Sequence, residues 1–343
     1  MEERTIRSEL SGLPEFKVVP GNYRIKLDQN ESPCRLPKKL LSSVLDQMRT
    51  KYGENRYPQP DEYLKKKKAV SDITGIPPEN TIILNGADQG ILLSMLISGP
   101  KIRLLNPTYP IYRNDALITG KKVSEAALTF GNGFGIPANA GGKDFDLVCL
   151  VSPNPPAGNL APEDALPAAL HDNRLVMMDE AYYDFSGITY TEYLKDHNNL
   201  IILRTMSKSC CLAGLRLGYA FAGRDIIDAM EKAVFSPYNI SILHYALLDR
   251  FRDITLQAAE NAKKINKVKA AFERSLDETG IKYFKSRGNF ILMESSKEIF
   301  ENLLRNGIKT RFYTIEGHEF IRITIGTMAE MSQAASVLRK AFR

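Results

Sequence analysis

The chain has 343 residues, of which 43% are hydrophobic and 25% charged, and its formal net charge is +6. This composition predicts a globular protein of two domains or one large one. The mild basic excess favours small anionic ligands and argues against nucleic-acid binding, because nucleic-acid-binding proteins concentrate basic residues on one face.

The N-terminal sequence MEERTIRSELSG has no apolar signal segment, and no stretch reaches the length of a membrane span. The cysteines, at positions 34, 149, 210 and 211, have no CxxC spacing. We therefore predict a protein of the reducing cytoplasm with no membrane partner. The four histidines lack metal-ligand spacing, so no metal is expected. The run KKKK at 65–68 is expected to form a solvated helix face.

Short apolar runs alternate with helical patterns over roughly residues 50–230. These runs are TIILN (81–85), IRLLN (102–106), LVCLVSP (147–153), RLVMMDE (174–180), LIILRT (200–205) and LGYAFAG (217–223). Continuous apolar strands separated by helices are typical of a parallel sheet covered on both faces. The sequence therefore predicts an α/β fold, with a large domain over 46–235 built on a mainly parallel sheet.

A second, smaller α+β domain is predicted over 236–343. It begins near a long amphipathic helix at 254–280, and three strands follow around a helix at 296–307. The strands are NFILMES (289–295), GIKTRFY (307–313) and FIRITIG (320–326). Residues 1–45 are too few for a domain, and we expect this segment to pack with the small domain.

Small and polar residues follow the predicted strands of the large domain. GADQG (86–90) opens a helix, where free backbone N–H groups can bind an anion, although Asp88 could instead cap the helix. Ligands collect at the carboxyl ends of strands in open α/β sheets, so these residues are expected to converge. The small and polar residues that follow the other predicted strands are PTY (107–109), SPNP (152–155), DEAY (179–182), and Thr205, Ser207 and Lys208.

The converging residue types fit pyridoxal phosphate. A desolvated lysine such as Lys208 loses its proton readily and can then bind an aldehyde. Arg216, eight positions later, can hold a phosphate, and Asp179 can keep a pyridine nitrogen protonated. Each residue has an ordinary alternative: Asp179 as a helix cap, Tyr182 as a core residue and Arg216 in a surface ion pair. Their joint order at successive strand ends favours the cofactor.

The chain resembles the fold-type I pyridoxal-phosphate aminotransferases, specifically their histidinol-phosphate aminotransferase branch, over nearly its whole length. The resemblance lies in LDQNESP (27–33), NRYPQP (55–60), GADQG (86–90), PTYPIY (107–112), SPNPPAG (152–158), DEAYYDF (179–185), RTMSKSCCLAGLRLGY (204–219) and FIRITIGT (320–327). It implies a homodimer with a shared active site.

The resemblance also implies roles for single residues. Lys208 would bind the cofactor's aldehyde and move a proton between Cα and C4′, Asp179 would pair with the pyridinium nitrogen, and Tyr182 would bond O3′. Tyr109 would stack on the ring. The groups implied to hold the phosphate are Gly86, Ala87, Asp88, Thr205, Ser207 and Arg216, with Tyr57 reaching the neighbouring subunit's phosphate.

For the substrate, the resemblance implies that Arg322 binds the acidic end and that Asn30 lines the pocket. Arg311 lies on an adjacent predicted strand and could join Arg322 in holding a phosphate, or could be exposed in a surface ladder. Further candidates are Lys17, Tyr23 and Arg24.

One motif departs from the family. Where relatives read SPNNPTG, this chain has SPNPPAG, so the position of the asparagine that bonds O3′ holds Pro155. Either the loop shifts and Asn154 makes this bond, or Tyr182 alone supports O3′.

The resemblance implies transamination between L-histidinol phosphate and 2-oxoglutarate, in histidine biosynthesis. An O-phospho-L-threonine decarboxylase of cobalamin biosynthesis and a broader aromatic or aspartate aminotransferase are alternatives. A pyridoxal-binding regulator would need a DNA-binding extension, for which 343 residues leave no room. A nicotinamide-dependent enzyme is disfavoured, because GNGFG (131–135) lacks the dinucleotide-binding spacing after a strand.

Overall fold

The structure is a computed structural model that describes Leu10, Leu13 and residues 23–137, 139–171 and 174–342. The helices α1 to α11 are Lys38–Gln47, Pro60–Thr74, Ala87–Ile97, Ile111–Ile118, Ala165–Leu170, Tyr183–Ser186, Arg224–Val234, Ile242–Leu248, Phe251–Thr279, Lys297–Arg305 and Met328–Ala341. The strands β1 to β13 are Ile25–Lys26, Thr81–Leu84, Lys101–Asn106, Lys122–Ala127, Leu147–Val151, Leu175–Asp179, Leu200–Thr205, Gly218–Ala222, Tyr283–Phe284, Phe290–Glu294, Ile308–Lys309, Arg311–Ile315 and His318–Thr324. No helix in these ranges is both long and apolar enough to span a membrane.

The central sheet has seven strands in the order β2-β8-β7-β6-β5-β3-β4. Strands β3 to β7 run parallel, whereas β8 is antiparallel to both of its neighbours. The predicted α/β fold with a mainly parallel sheet is therefore confirmed. Strand β4 was not predicted, because its sequence KVSEAA lies at the sheet edge and has no continuous apolar run.

Apolar layers cover both faces of this sheet. On one face, strand residues such as Met177 and Leu203 pack against α3, α4 and α7. On the other face, Met178 and Ile202 pack against α8 and the first half of α9. Strands β5 and β8 are buried along their whole length, which agrees with their continuous apolar sequences. The polar residues at the strand ends are therefore attached to a sheet that is packed on both faces.

The C-terminal part of the chain forms a four-stranded antiparallel sheet in the order β12-β13-β10-β9. It shares an apolar core with α10, α11 and the second half of α9. The predicted strand 307–313 is divided: Ile308–Lys309 pairs with β1, and Arg311–Ile315 pairs with β13. The pairing of β1 with β11 attaches the described N-terminal segment to this part of the chain.

The predicted solvated lysine face was wrong for two of its four residues. Lys66 and Lys67 are only 2% and 4% exposed. Lys66 forms ion pairs with Asp249 and Glu62, and Lys67 lies 2.9 Å from Glu231. The helical period turns these two lysines toward acidic side chains of neighbouring segments, whereas the outer two lysines of the run stay exposed.

Candidate active site

Asp179 is the last residue of β6 and is buried at the carboxyl edge of the sheet. Its Oδ1 accepts a 2.8 Å hydrogen bond from the Ala181 amide, and its Oδ2 accepts one from the Tyr112 hydroxyl. Burial raises the pKa of Asp179 to about 6, although both hydrogen bonds oppose this rise. A cationic partner, such as a protonated pyridine nitrogen, would compensate the buried carboxylate.

Lys208 lies three residues after β7 and is half-buried, with its amine in the cleft near the N-terminal segment. Its Nζ donates to the Gln29 carbonyl at 3.2 Å and lies 5.8 Å from the centre of the Tyr182 ring. Burial, with the nearby charge of Arg322, lowers the pKa of Lys208 to about 8. The amine can therefore lose its proton near neutral pH and act as a nucleophile.

Two polar side chains, the partly buried Asp184 and the buried Asn261, hold the loop that carries Lys208. The hydroxyl of Ser209 donates to the Asp184 carboxylate, and the Ser209 carbonyl accepts a 3.0 Å bond from the Asn261 amide. Sequence reasoning missed the roles of Asp184 and Asn261. Asp184 lies within the quoted DEAYYDF motif, whereas Asn261 is one polar residue in an amphipathic helix and has no local signal.

Tyr182 stands on the turn after β6, immediately before the short helix α6. Its hydroxyl accepts a 2.9 Å hydrogen bond from the side-chain amide of Asn30. Thr324 and Asn289 hold Asn30 in turn, through bonds of 2.9 to 3.2 Å. The structure thus brings Asn30 to Tyr182, where the phenol keeps its own proton for a further acceptor such as O3′.

Gly86 precedes α3 in a left-handed conformation with φ of +81°. The positive φ favours glycine, and a Cβ at this position would also lie 2.7 Å from Arg216 Nη2 and displace the guanidinium. Arg216 pairs with Asp88 at 2.6 Å and lies 3.5 Å from Ser207 Oγ. Asp88 is therefore the ion-pair partner of this arginine.

The predicted phosphate groups come together around this helix start. Thr205 donates to Ser207 at 2.9 Å, and the Ala87 amide lies at the first residue of α3. A helix N-terminus, two hydroxyls and a guanidinium form a donor set that suits a phosphate dianion. Together with Lys208 and Asp179, these residues fit pyridoxal 5′-phosphate.

Tyr109 lies in the loop after β3 and is 39% exposed. Its ring meets that of Tyr112 edge to face, with 6.0 Å between the ring centres. Burial raises the pKa of the Tyr109 hydroxyl, and the charges of Asp88 and Asp179 raise it further. Tyr109 therefore lies within range of both the anion-binding end and the carboxylate end of the site. The PTYPIY segment did not reveal the hydrogen bond from Tyr112 to Asp179, although Tyr112 follows Tyr109 by three residues.

The side chain of Asn154 is engaged with the neighbouring loop. Its Oδ1 accepts a 2.7 Å bond from Thr108, and its Nδ2 donates to the Pro107 carbonyl at 3.0 Å. These bonds brace the segment that carries Tyr109. They leave Asn154 one further amide hydrogen, so both sequence-based alternatives for O3′ stay open.

Arg322 and Arg311 are directly opposed on β13 and β12, so both side chains start from the same face of the sheet. Arg322 is buried and donates from Nη2 to the Asp28 carbonyl at 2.8 Å. Its buried Nε has no hydrogen-bond partner among the described residues. Arg311 is exposed. An arginine pair with an unused donor is suited to an anionic substrate.

Of the remaining predicted residues, Arg24 lines a cavity together with Ser207, whereas Tyr57 lies on the surface. Tyr57 is 79% exposed and contacts Tyr238 edge to face at 5.5 Å. Arg24 bonds Gln333 at 3.0 Å, and the Tyr23 ring lies 5.3 Å from the Lys309 amine. Lys17 lies outside the described residues.

Comparison with known proteins identifies the class of enzyme. Residues 24–338 match the model of the aminotransferase class I and II family. The chain belongs to this family, and the predicted pyridoxal-phosphate aminotransferase is thereby confirmed.

Two curated relatives share about a third of their residues with the chain. A histidinol-phosphate aminotransferase of Thermococcus gammatolerans is 33% identical over 91% of this chain and 90% of its own length. One of Pyrococcus furiosus is 32% identical over 98% of this chain and 97% of its own.

Solved structures share the fold. The histidinol-phosphate aminotransferase of Sinorhizobium meliloti, in complex with pyridoxal-5′-phosphate, matches with a TM-score of 0.80 and 22% identity, over 99% of this chain and 98% of that one. A Thermus thermophilus aspartate aminotransferase mutant complexed with tryptophan has a TM-score of 0.83 at 16% identity, over 98% of this chain and all of that chain (100%). These two neighbours therefore share the fold of this chain.

Proposed function

We propose that the protein is a histidinol-phosphate aminotransferase, which exchanges an amino group between L-histidinol phosphate and 2-oxoglutarate in histidine biosynthesis. The observation that carries this proposal is the opposed pair Arg311 and Arg322, with the unpartnered buried Nε of Arg322. The relatives with about one-third identity carry the same name.

Lys208 is the residue that we assign to proton transfer. When bound, pyridoxal phosphate supplies an aldehyde for amino groups and a ring that accepts the electron pair released at the substrate Cα. The Nζ of Lys208, with its lowered pKa of about 8, accepts the Cα proton and later returns it. The Gln29 carbonyl orients this amine through its 3.2 Å bond.

Other groups hold the cofactor in the proposed site. Asp179 keeps a proton on the ring nitrogen, because its buried carboxylate is stabilised by a nearby cation. Tyr182 donates to O3′, with Asn30 behind it. Arg216 and the start of α3 bind the phosphate, and Tyr109 covers the ring face.

The arginine pair explains how one pocket takes both substrates. Glutamate presents a carboxylate and histidinol phosphate a phosphate ester, and both are anions that a guanidinium binds through two parallel hydrogen bonds. Arg322 is held in place by Asp28, whereas the Arg311 side chain makes no hydrogen bond or ion pair within the part of the chain that the structure describes. Arg311 is therefore free to turn toward the larger anion.

The proposed assembly is a homodimer in the cytoplasm. Three aromatic side chains are 55% to 80% exposed, namely Tyr57, Phe235 and Tyr238. Their exposure supports a surface that a second subunit covers in the working enzyme. The cysteines of the described residues are free thiols, in keeping with a reducing compartment. For the domains, we propose the division 1–45, 46–235 and 236–343, which the separate seven-stranded and four-stranded sheets support.

The test is an absorbance titration of the cofactor-loaded protein. L-histidinol phosphate should convert the band of the lysine-bound cofactor to that of pyridoxamine phosphate, and 2-oxoglutarate should reverse the change. A parallel titration uses O-phospho-L-threonine, because the same arginine pair could hold a carboxylate and a phosphate together. Carbon dioxide release from this compound, without pyridoxamine formation, would assign a decarboxylase instead. Faster conversion by aromatic amino acids or aspartate would assign a broader aminotransferase.

The matched variants are Arg311→Gln and Arg305→Gln, the second on the exposed end of α10. The first should raise the KM for histidinol phosphate by about tenfold, corresponding to the loss of one charged hydrogen bond. The second should leave it unchanged. An equal KM in all three proteins would remove Arg311 from the substrate site.

A further inference from the structure

Two cysteines that are far apart in sequence meet beside the active-site lysine. Cys34 ends the LDQNESPC stretch of the N-terminal segment, and Cys211 lies three residues after Lys208. Their side chains are close enough to influence each other. Ser32 joins them, because its Oγ accepts the Cys34 amide at 3.3 Å and lies 3.3 Å from Cys211 Sγ. The two thiols therefore connect two segments of the site.

The pair can be reached from solvent. Cys34 and Cys211 are both half-buried, whereas Cys149 and Cys210 are only 2% and 5% exposed. Cys211 and Ser32 also line a cavity of about 330 Å³. A small oxidant can therefore reach Cys211 through the cavity and Cys34 from its own partly exposed side, whereas the other two thiols are covered.

The two sulfur atoms have different environments. The hydrogen bond with Cys211 lowers the pKa of Cys34 to about 6, and the charge of Lys264 contributes in the same direction. The same contact and burial raise the pKa of Cys211. Asn261 donates to Cys211 Sγ at 3.1 Å and holds it in place. The pair therefore combines a thiol of lowered pKa, which is the better nucleophile, with a neighbouring thiol that Asn261 holds in place.

We propose that Cys34 and Cys211 form a peroxide-reactive dithiol, which closes to a disulfide between the N-terminal segment and the Lys208 loop. The Cys34 sulfur attacks hydrogen peroxide, breaks the O–O bond and becomes a sulfenic acid, with release of one water molecule. Cys211 then attacks this sulfur, forms the S–S bond and releases a second water molecule. The two thiols lose two electrons and two protons, and the peroxide is reduced to two water molecules.

The disulfide would restrain the segment that orients the catalytic amine. Gln29, whose carbonyl accepts from Lys208, lies five residues before Cys34. A covalent bond from this segment to the residue that follows Lys208 by three positions limits their relative motion. We therefore expect slower transamination in the oxidised protein and recovery when a dithiol reductant is added.

The experiment treats the cofactor-loaded protein with a small excess of hydrogen peroxide. We expect free thiols, counted after unfolding, to fall from four to two, the intact mass to fall by two hydrogen atoms, and one linked pair of peptides to contain Cys34 and Cys211. Dithiothreitol should restore all four thiols. Four remaining thiols, a link through Cys210, or a bond between two chains would overturn the proposal.

Variants separate the two sulfur roles. Cys211→Ser should stop at a sulfenic acid on Cys34 that dimedone traps, whereas Cys34→Ser should give neither a disulfide nor a trapped sulfenic acid at Cys211. Cys210→Ala is the matched control and should form the disulfide as the unaltered protein does. A disulfide that forms without any change in turnover would refute the restraint of Lys208. Thiol counts and masses do not depend on the substrate, so they remain decisive if the proposed function fails.

Discussion

The side-chain amide of Asn30 donates a 2.9 Å hydrogen bond to the hydroxyl of Tyr182. Asn30 is 2% exposed, and Thr324 and Asn289 fix it from the C-terminal sheet region. Hydrogen bonds through Asn30 therefore connect the N-terminal segment and that sheet to the Tyr182 phenol, which we place at the cofactor's O3′. This contact connects residues 152 positions apart in the sequence.

Replacement of Asn30 by alanine should raise the pKa at which the absorbance of the lysine-bound cofactor titrates, by about 0.5 unit. The reason is that Tyr182, once it loses its own donor, is a weaker donor to O3′ and stabilises the deprotonated oxygen less. A spectrophotometric pH titration measures the change.

The control for this prediction is Tyr182→Phe. This variant should raise the same pKa, and Asn30→Ala should then add nothing when it is combined with Tyr182→Phe, because Asn30 acts through the phenol. If Tyr182→Phe has no effect, the O3′ assignment fails. Additive shifts would show that Asn30 acts by another route.

The pKa of Lys208 makes cofactor capture depend on pH. The rate at which cofactor-free protein binds pyridoxal phosphate should rise with pH around a midpoint of about 8, because only the neutral amine attacks an aldehyde. Lys208→Ala should abolish this covalent capture. Rapid-mixing absorbance measurements follow the reaction.

Arg322→Gln should move this midpoint upward. The charge of Arg322 disfavours the Lys208 ammonium, so its loss raises the lysine pKa and slows capture at pH 7.5. Arg322→Lys keeps the charge and should keep the midpoint near that of the unaltered protein. A midpoint that falls in Arg322→Gln contradicts the electrostatic assignment.

The Tyr112 hydroxyl should contribute to cofactor affinity through Asp179. Its hydrogen bond lowers the pKa of that carboxyl, and without it the carboxylate that pairs with the pyridine nitrogen is harder to maintain. Tyr112→Phe should raise the dissociation constant for pyridoxal phosphate about tenfold. Equilibrium dialysis measures this constant.

Tyr109→Phe is the matched comparison. The Tyr109 hydroxyl makes no hydrogen bond to any residue that the structure describes, and the phenylalanine retains the ring. Its dissociation constant should therefore stay near that of the unaltered protein. Equal losses in both variants would mean that packing, and not the bond to Asp179, determines the affinity.

Asp179 should also make the cofactor-free protein less stable as the pH rises from about 4 to 6. Its pKa is raised to about 6, so the folded state holds a proton that the unfolded chain loses near pH 4. The contribution of Asp179 to the free energy of unfolding is therefore fully present below pH 4 and is lost by the time the pH has risen through 6. Asp179→Asn should remove on the order of 2 kcal/mol of this pH dependence, measured by urea unfolding.

The buried Lys66 should be important for stability. Lys66→Ala removes the buried cation between Asp249 and Glu62, which keep only the more exposed Lys51 as a shared partner, and should reduce the free energy of unfolding by about 2 kcal/mol. Lys68→Ala, which alters an exposed pair with Asp72 on the same helix, should leave the melting temperature nearly unchanged. Thermal unfolding of both variants tests the difference, and equal melting temperatures would contradict it.

Much of the fold could be predicted from local patterns. The strands at 81–85, 102–106 and 200–205 are continuous apolar runs, and such runs identify buried strands without knowledge of their neighbours. The long helix predicted at 254–280 is observed at Phe251–Thr279, because its amphipathic period extends over many turns. Edge strand β4 lacked an apolar run, and its pairing with β3 alone defines it.

The class of enzyme follows from the amino-acid sequence alone, because the lysine, aspartate, tyrosine and arginine that we assign to the cofactor occur at the ends of successive strands in recognisable motifs. The folded structure was needed to show which distant residues support them: Asn30 at Tyr182, Tyr112 at Asp179, and Cys34 at Cys211. It was also needed to show that Lys66 is buried and Lys68 is not. Hydrogen bonds, ion pairs and burial depend on distances between segments, and local periodicity does not contain those distances.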